Sequence, residues 1–127
     1  MHRGIEEGIR LFNAQRFFEA HEALEAVWLK ATGDEKVFLH GLIQIAAAFH
    51  HHTRRNPAGF RSLLEKGLAK LARVSSLGTE IDLEALRRQL RPWRRFAEHG
   101  TDPRTARYVA GSRPGPAPAL PRIERLG

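Results

Sequence analysis

Residues Val37 to Phe49 read V-F-L-H-G-L-I-Q-I-A-A-A-F. A helix of that composition is apolar nearly all round, and such a helix persists in water only when neighbours cover it on most sides. The stretch therefore has to be the centre of a helical bundle. A bilayer crossing takes about 20 apolar residues, and this run is too short and is interrupted by His40 and Gln44. Gly41, Ala46, Ala47 and Ala48 leave room for close neighbours.

One narrow edge of that helix is polar. Lys36, His40, Gln44, Ala47 and His51 recur at i, i+4, i+8, i+11 and i+15, so they stack on one face. Imidazole and amide groups on a covered face need hydrogen-bond partners. The stretch Phe17 to Trp28, F-F-E-A-H-E-A-L-E-A-V-W, can supply them. At about 100° per residue, Phe17, Ala20, His21, Leu24 and Trp28 share one side. Glu25 follows His21 by one turn and Glu22 sits at the rim. Burying an unpaired carboxylate costs several kcal/mol, so a covered Glu25 demands a partner. The expected site is a pocket between the second and third helices. It is made from His21, Glu22, Glu25, Trp28, His40, Gln44 and His51, with both acids turned inward.

The remaining segments complete an all-α chain. Gly4 to Gln15 forms a first amphipathic helix through Ile5, Gly8, Ile9 and Phe12. It pairs with the second as an antiparallel hairpin. Gly33 suits a left-handed cap and Asp34 can cap the third helix, Glu35 to about Arg55. Asn56-Pro57 starts a fourth helix, to Val74, whose core stripe is Phe60, Leu63, Leu64, Leu68 and Leu71. Ser75 to Glu80 is a loop. Asp82 caps a fifth helix, Leu83 to about His99, which Pro92 is expected to kink or split in two. The expected fold is a compact multihelical bundle of five or six helices, built on antiparallel hairpins with the third helix central. Residues 1–100 form this bundle. Residues 101–127 are an extended basic tail rich in Pro and Gly, packing on the bundle or trailing from it, with Tyr108, Val109, Leu120 and Ile123 as its anchors.

Composition narrows the chemistry. The 127 residues include no cysteine, which excludes disulfides and thiolate catalysis. A metal site would have to use His, Asp, Glu or backbone oxygen. Residues 1–15 lack the apolar core of a signal peptide, so a soluble, cytoplasmic protein without a membrane partner is expected. No glycine-rich phosphate loop or nucleophile elbow occurs.

Three functional readings fit these residues. In the first, a divalent metal is the cofactor. His21, Glu25 and His51 would ligate it, and Glu22 would act as general base on a bound water. The spacing matches neither the zinc-protease motif nor the paired motifs of di-iron bundles. In the second, the cluster is structural and the chain is a non-catalytic module that meets a small ligand, another protein or a second copy of itself. In the third, the formal charge of +7 and the belt Arg87, Arg88, Arg91, Arg94 and Arg95 bind nucleic acid, although no nucleic-acid motif accompanies the charge. Of the histidines 50–52, His51 belongs to the polar stripe. His50 and His52 fan out to the surface or edge.

The run F-N-A-Q-R-F-F-E-A-H-E-A-L-E-A-V-W, then G-L-I-Q-I-A-A-A-F-H-H, then N-P-A-G-F-R-S-L-L-E-K, resembles a prokaryotic family called domain of unknown function 309. The likeness covers about Phe12 to Ala72. It implies a compact all-helical fold. It also implies that His21, Glu22 and Glu25 are the family's His-Glu-x-x-Glu positions, with Trp28 and Gln44 at further signature positions. It implies no particular activity.

Overall fold

The computed structural model describes residues 3–74, 80–99 and 117–125. These form five helices: α1 Arg3–Asn13, α2 Phe17–Trp28, α3 Gly33–Thr53, α4 Pro57–Arg73 and α5 Leu83–His99. The described residues hold one isolated antiparallel bridge, between Ile81 and Arg125, and no named strand. α3 is central, packed between α2 and α4, with α1 against α2 and α5 against α4. From Phe38 to Phe49 only His40 and Ala47 are less than fully buried. The polar stripe is thus the one edge of this segment that reaches solvent.

Phe49 joins the other four helices through aromatic contacts. Its ring lies 6.5 Å from Phe12 of α1, 5.5 Å from Phe17 of α2, 5.4 Å from Phe60 of α4 and 5.0 Å from Trp93 of α5. Most of these pairs are edge-to-face, which places the positive ring edge on the negative face and adds about 0.5–1.5 kcal/mol each beyond area burial. α3 and α4 touch backbone to backbone at Gly41 and Gly67. A Cβ on Gly67 would lie 3.0 Å from the Gly41 carbonyl oxygen and 2.7 Å from Ile45.

Local chemistry sets the helix ends. The Asn56 side chain accepts a hydrogen bond from Gly59 N at 3.1 Å, with Pro57 in the first turn of α4. Asp82 accepts from Ala85 N at 3.0 Å and caps α5. Gly33 takes φ +60°, as expected. Asp34 does not cap α3, however. Thr32 occupies the cap position, in extended conformation and without a side-chain bond. Nor does Pro92 split α5, which continues to His99. Pro92 and Arg88 both lie on the solvated side, so the carbonyl that loses its N–H partner there faces water.

Residues 117–125 form a strap across α1 and α5. Two side-chain amides hold it in the manner of a strand partner. Asn13 Nδ2 donates to Ile123 O at 3.0 Å, and Ile123 N donates to Asn13 Oδ1 at 2.8 Å. Gln89 Nε2 donates to Arg122 O at 2.9 Å, and Arg122 N donates to Gln89 Oε1 at 2.8 Å. Trp93 Nε1 donates to Ala119 O at 2.9 Å, and Asp82 N to Glu124 O at 2.8 Å. Ile123 is buried and Leu120 packs against the core. The other two expected anchors, Tyr108 and Val109, lie outside the described residues, as does most of the expected loop after α4.

Candidate functional site

An open cleft of about 280 Å³ lies where α2, α3 and α4 meet. His21, Glu25 and Trp28 line it from α2, His40, Ile43, Gln44 and Ala47 from α3, and Leu63 from α4. The helical spacing of both segments explains the gathering. Residues 21, 25 and 28 fall on adjacent turns of α2, and residues 40, 44 and 47 on adjacent turns of α3.

His21 Nε2 lies 3.2 Å from Glu25 Oε2. The side chains are 27% and 48% exposed, so this pair sits at the cleft mouth. His21 Nδ1 is enclosed without a hydrogen-bond partner among the described residues. The Phe18 ring stacks beside this imidazole at 6.0 Å. Deeper in, Gln44 is buried, and its Oε1 accepts from Lys70 Nζ at 2.9 Å. That leaves the Gln44 amide nitrogen as a donor. The Trp28 and His40 rings are 5.3 Å apart and form an aromatic wall, and Lys36 Nζ sits 4.7 Å over the Trp28 ring. His40 is held below the ordinary imidazole range, first by burial and then by the nearby Lys70 ammonium. Its neutral form is therefore favoured, with one ring nitrogen free to accept.

Two placements correct the sequence reading. The two acids do not turn inward. Glu25 lies half-exposed at the mouth, and Glu22 is exposed and outside the lining. The cost of desolvating a carboxylate opposes the buried arrangement. His51 also lies outside the lining. It faces the α3–α4 turn, where Asn56 Nδ2 donates to its Nδ1 at 3.0 Å. The Asn56 cap uses the amide oxygen, so the amide nitrogen is the donor and His51 Nδ1 the acceptor. His21 and Glu25 therefore meet without His51, and among the described residues no three His, Asp or Glu side chains are grouped to hold a metal ion.

His52 is partly exposed. Its ring is flanked by Trp93 at 4.8 Å, Phe60 at 5.3 Å and Phe96 at 6.0 Å. Its Nδ1 is buried without a partner among the described residues, and burial lowers its pKa. His50 lies at an edge against Phe18, with ring centroids 5.2 Å apart.

The arginine belt of α5 is partly neutralised. Arg87 donates to the Leu71 carbonyl and lies near Glu84, Arg91 pairs with Glu84 at 3.2 Å, and Arg94 pairs with Glu98 at 3.7 Å. Arg88 and Arg95 are exposed. The Leu63 wall of the cleft and the Lys70 bond to Gln44 do not follow from the sequence reading. Both lie on α4, and the i, i+4 signal that linked α2 to α3 carries no information about a third helix.

Residues 5–63 match the family described as "Domain of unknown function (DUF309)". A Bacillus subtilis (strain 168) protein described as "Uncharacterized protein YpuF" is 39% identical over 59 residues, which are 45% of this chain and 34% of that protein. The match thus spans about a third of the relative's length. The chain resembles this family across the segment that holds every residue lining the cleft, from His21 to Leu63. Among the described residues, no helix is long and apolar enough to cross a membrane.

Proposed function

We propose that the α2–α3–α4 cleft is the binding site for a small polar ligand, and that the chain acts by binding rather than by catalysis. The observation that carries this reading is the open mouth. Groups able to donate and accept hydrogen bonds converge on a concavity of about 280 Å³ that solvent reaches. A purely structural cluster would be closed to solvent, whereas the His21–Glu25 pair stands at an open mouth. The volume is just below the ~300–1,000 Å³ of ordinary ligand sites, so a compact metabolite-sized molecule suits it.

The chemistry favours a planar ligand with both acceptor and donor edges. The Trp28–His40 wall offers a face for stacking. The Gln44 amide nitrogen suits an acceptor, such as a carboxylate or carbonyl, and the Lys70 and Lys36 ammonium groups, on Gln44 and over Trp28, add positive charge beside the lining. Glu25 at the mouth suits a donor. Metal-assisted hydrolysis receives less support, because His51 is engaged at the α3–α4 turn and Glu22 lies outside the lining. The nucleic-acid reading is weakened in the same way, since three of the belt arginines spend their charge on neighbours.

The test is a thermal-shift screen of small carboxylates, amides and heteroaromatics on the full chain, repeated on Ala47→Phe. That substitution fills the cleft from its solvent-facing edge. Compounds that stabilise the native chain and lose their effect in the variant support the reading. A screen without stabilising compounds, or stabilisation equal in both proteins, refutes it.

A further inference from the structure

The two large apolar side chains most exposed to solvent among the described residues are Phe18, at 50%, and Leu29, at 65%. Both belong to α2, and the helical conformation continues through Leu29. At about 100° per residue, Phe18, Glu22, Glu25 and Leu29 fall within a narrow arc on the outer side of the helix. They form a ridge with an apolar residue at each end, about 16 Å apart, and two carboxylates between.

The charge on this ridge runs against the rest of the molecule. α2 carries Glu19, Glu22 and Glu25 and no lysine or arginine, in a chain with formal charge +7. Glu19 is paired with Arg16. Among the described residues, Glu22 makes no ion pair and Glu25 is joined only by the His21 imidazole. The acidic charge of the ridge is therefore available to a partner.

We infer that the outer ridge of α2 docks a basic amphipathic helix of another protein, whose apolar residues cover Phe18 and Leu29 while its lysines or arginines meet Glu22 and Glu25. Other occupants fit less well. A second copy pairing ridge to ridge would bring four carboxylates together in either orientation. A second copy offering its α5 arginines would bring no exposed large apolar side chain among the described residues to cover Phe18 and Leu29. Anionic lipid and nucleic acid are repelled by the unneutralised acids. A positively charged helix with apolar residues at 4/3 spacing satisfies both features, in the way that amphipathic helices are commonly recognised.

The ridge borders the cleft but is separable from it, because Phe18, Glu22 and Leu29 do not line the cleft. A probe suited to the ridge is an amidated 18-residue helical peptide with leucines at 4/3 spacing and lysines on both flanks. Its twin carries glutamate in place of lysine. The peptides are titrated into the full chain by calorimetry at low and moderate salt. One-to-one micromolar binding of the lysine peptide is expected, an affinity suited to so narrow a surface. It should weaken at least tenfold in Phe18→Ser, in Leu29→Ser and in Glu22→Lys, and the glutamate twin should not bind. All three positions are exposed, so unchanged melting curves should accompany the losses. The inference is overturned by absent binding, by binding that survives all three substitutions, or by a self-associating chain that Leu29→Ser converts to monomer. The cleft-filling change Ala47→Phe should leave peptide binding intact, which separates failure of this inference from failure of the cleft reading.

Discussion

Replacing Asn13 by alanine should destabilise the protein far more than the matching change at Gln89. Each side chain makes a reciprocal pair of hydrogen bonds to the strap, Asn13 with Ile123 and Gln89 with Arg122. The difference lies in where the freed backbone groups end up. Ile123 is buried, at 2% exposure, and its bonds to Asn13 are partly buried. After Asn13→Ala, its N–H and C=O lose their partners where water has little access, at about 1–3 kcal/mol for each unsatisfied group. Partial access favours the lower half of that range, so a total of about 2–4 kcal/mol is expected. The Gln89 bonds to Arg122 are exposed, and water can replace them after Gln89→Ala. With two exposed bonds, each at the low end of the ~0.5–1.5 kcal/mol net worth of a hydrogen bond, the expected loss there is about 1 kcal/mol. Urea denaturation of both variants measures the contrast, with unchanged slopes showing that the same surface unfolds. Equal losses within about 0.5 kcal/mol would refute the argument that burial of the Ile123 peptide decides the outcome.

Other substitutions test the core and its ionisable groups. Phe49→Ala removes the ring that meets all four neighbouring helices and should cost about 3–5 kcal/mol by denaturation, a large part of a small domain's total stability. Gly67→Ala drives a methyl group towards Ile45 and the Gly41 carbonyl, so it should destabilise by about 1–3 kcal/mol although alanine is the better helix former. His52 binds its proton less readily in the folded protein than in the unfolded chain, because burial lowers its pKa. The unfolded state therefore takes up protons first. The stability contribution is fully present above the unfolded value near 6.5 and is lost as pH falls through it towards the lower folded value. His40 and His50 shift in the same direction. His52→Leu should accordingly flatten, but not abolish, the decline in melting temperature below pH 6.5, and an unchanged slope would contradict the assignment.

Much of the architecture was legible because single residues carried unambiguous constraints. An apolar stretch from Val37 to Phe49 has one place in a small helical bundle, at the centre, and its polar edge at His40 and Ala47 marks the side left open. Asn56 and Asp82 cap their helices as their chemistry suggests. The cleft was legible in part, since helical phase brought His21, Glu25, Trp28, His40 and Gln44 to one place. Phase alone cannot separate a rim position from an inward one, and carboxylate desolvation decides Glu22 and Glu25. His51 was misread although its angle was right. Its ring is bound by Asn56, and a Cβ on Gly59 would lie 2.8 Å from it, contacts set by the α3–α4 turn. The environment of His52 depends on where α5 lies, and that of the strap on the Asn13–Ile123 pair, 110 residues apart in sequence. No periodicity reports contacts of that range.

The two tryptophans give the most direct test of the open cleft. Trp28 lines it, whereas Trp93 is buried and donates its indole N–H to Ala119 O. In a ¹⁵N-labelled sample titrated with a stabilising compound from the screen, the Trp28 indole resonance should shift progressively with the backbone signals of His40 and Gln44, while the Trp93 indole stays fixed. Shifts confined to Trp93, or saturating binding that leaves Trp28 unmoved, would contradict the account.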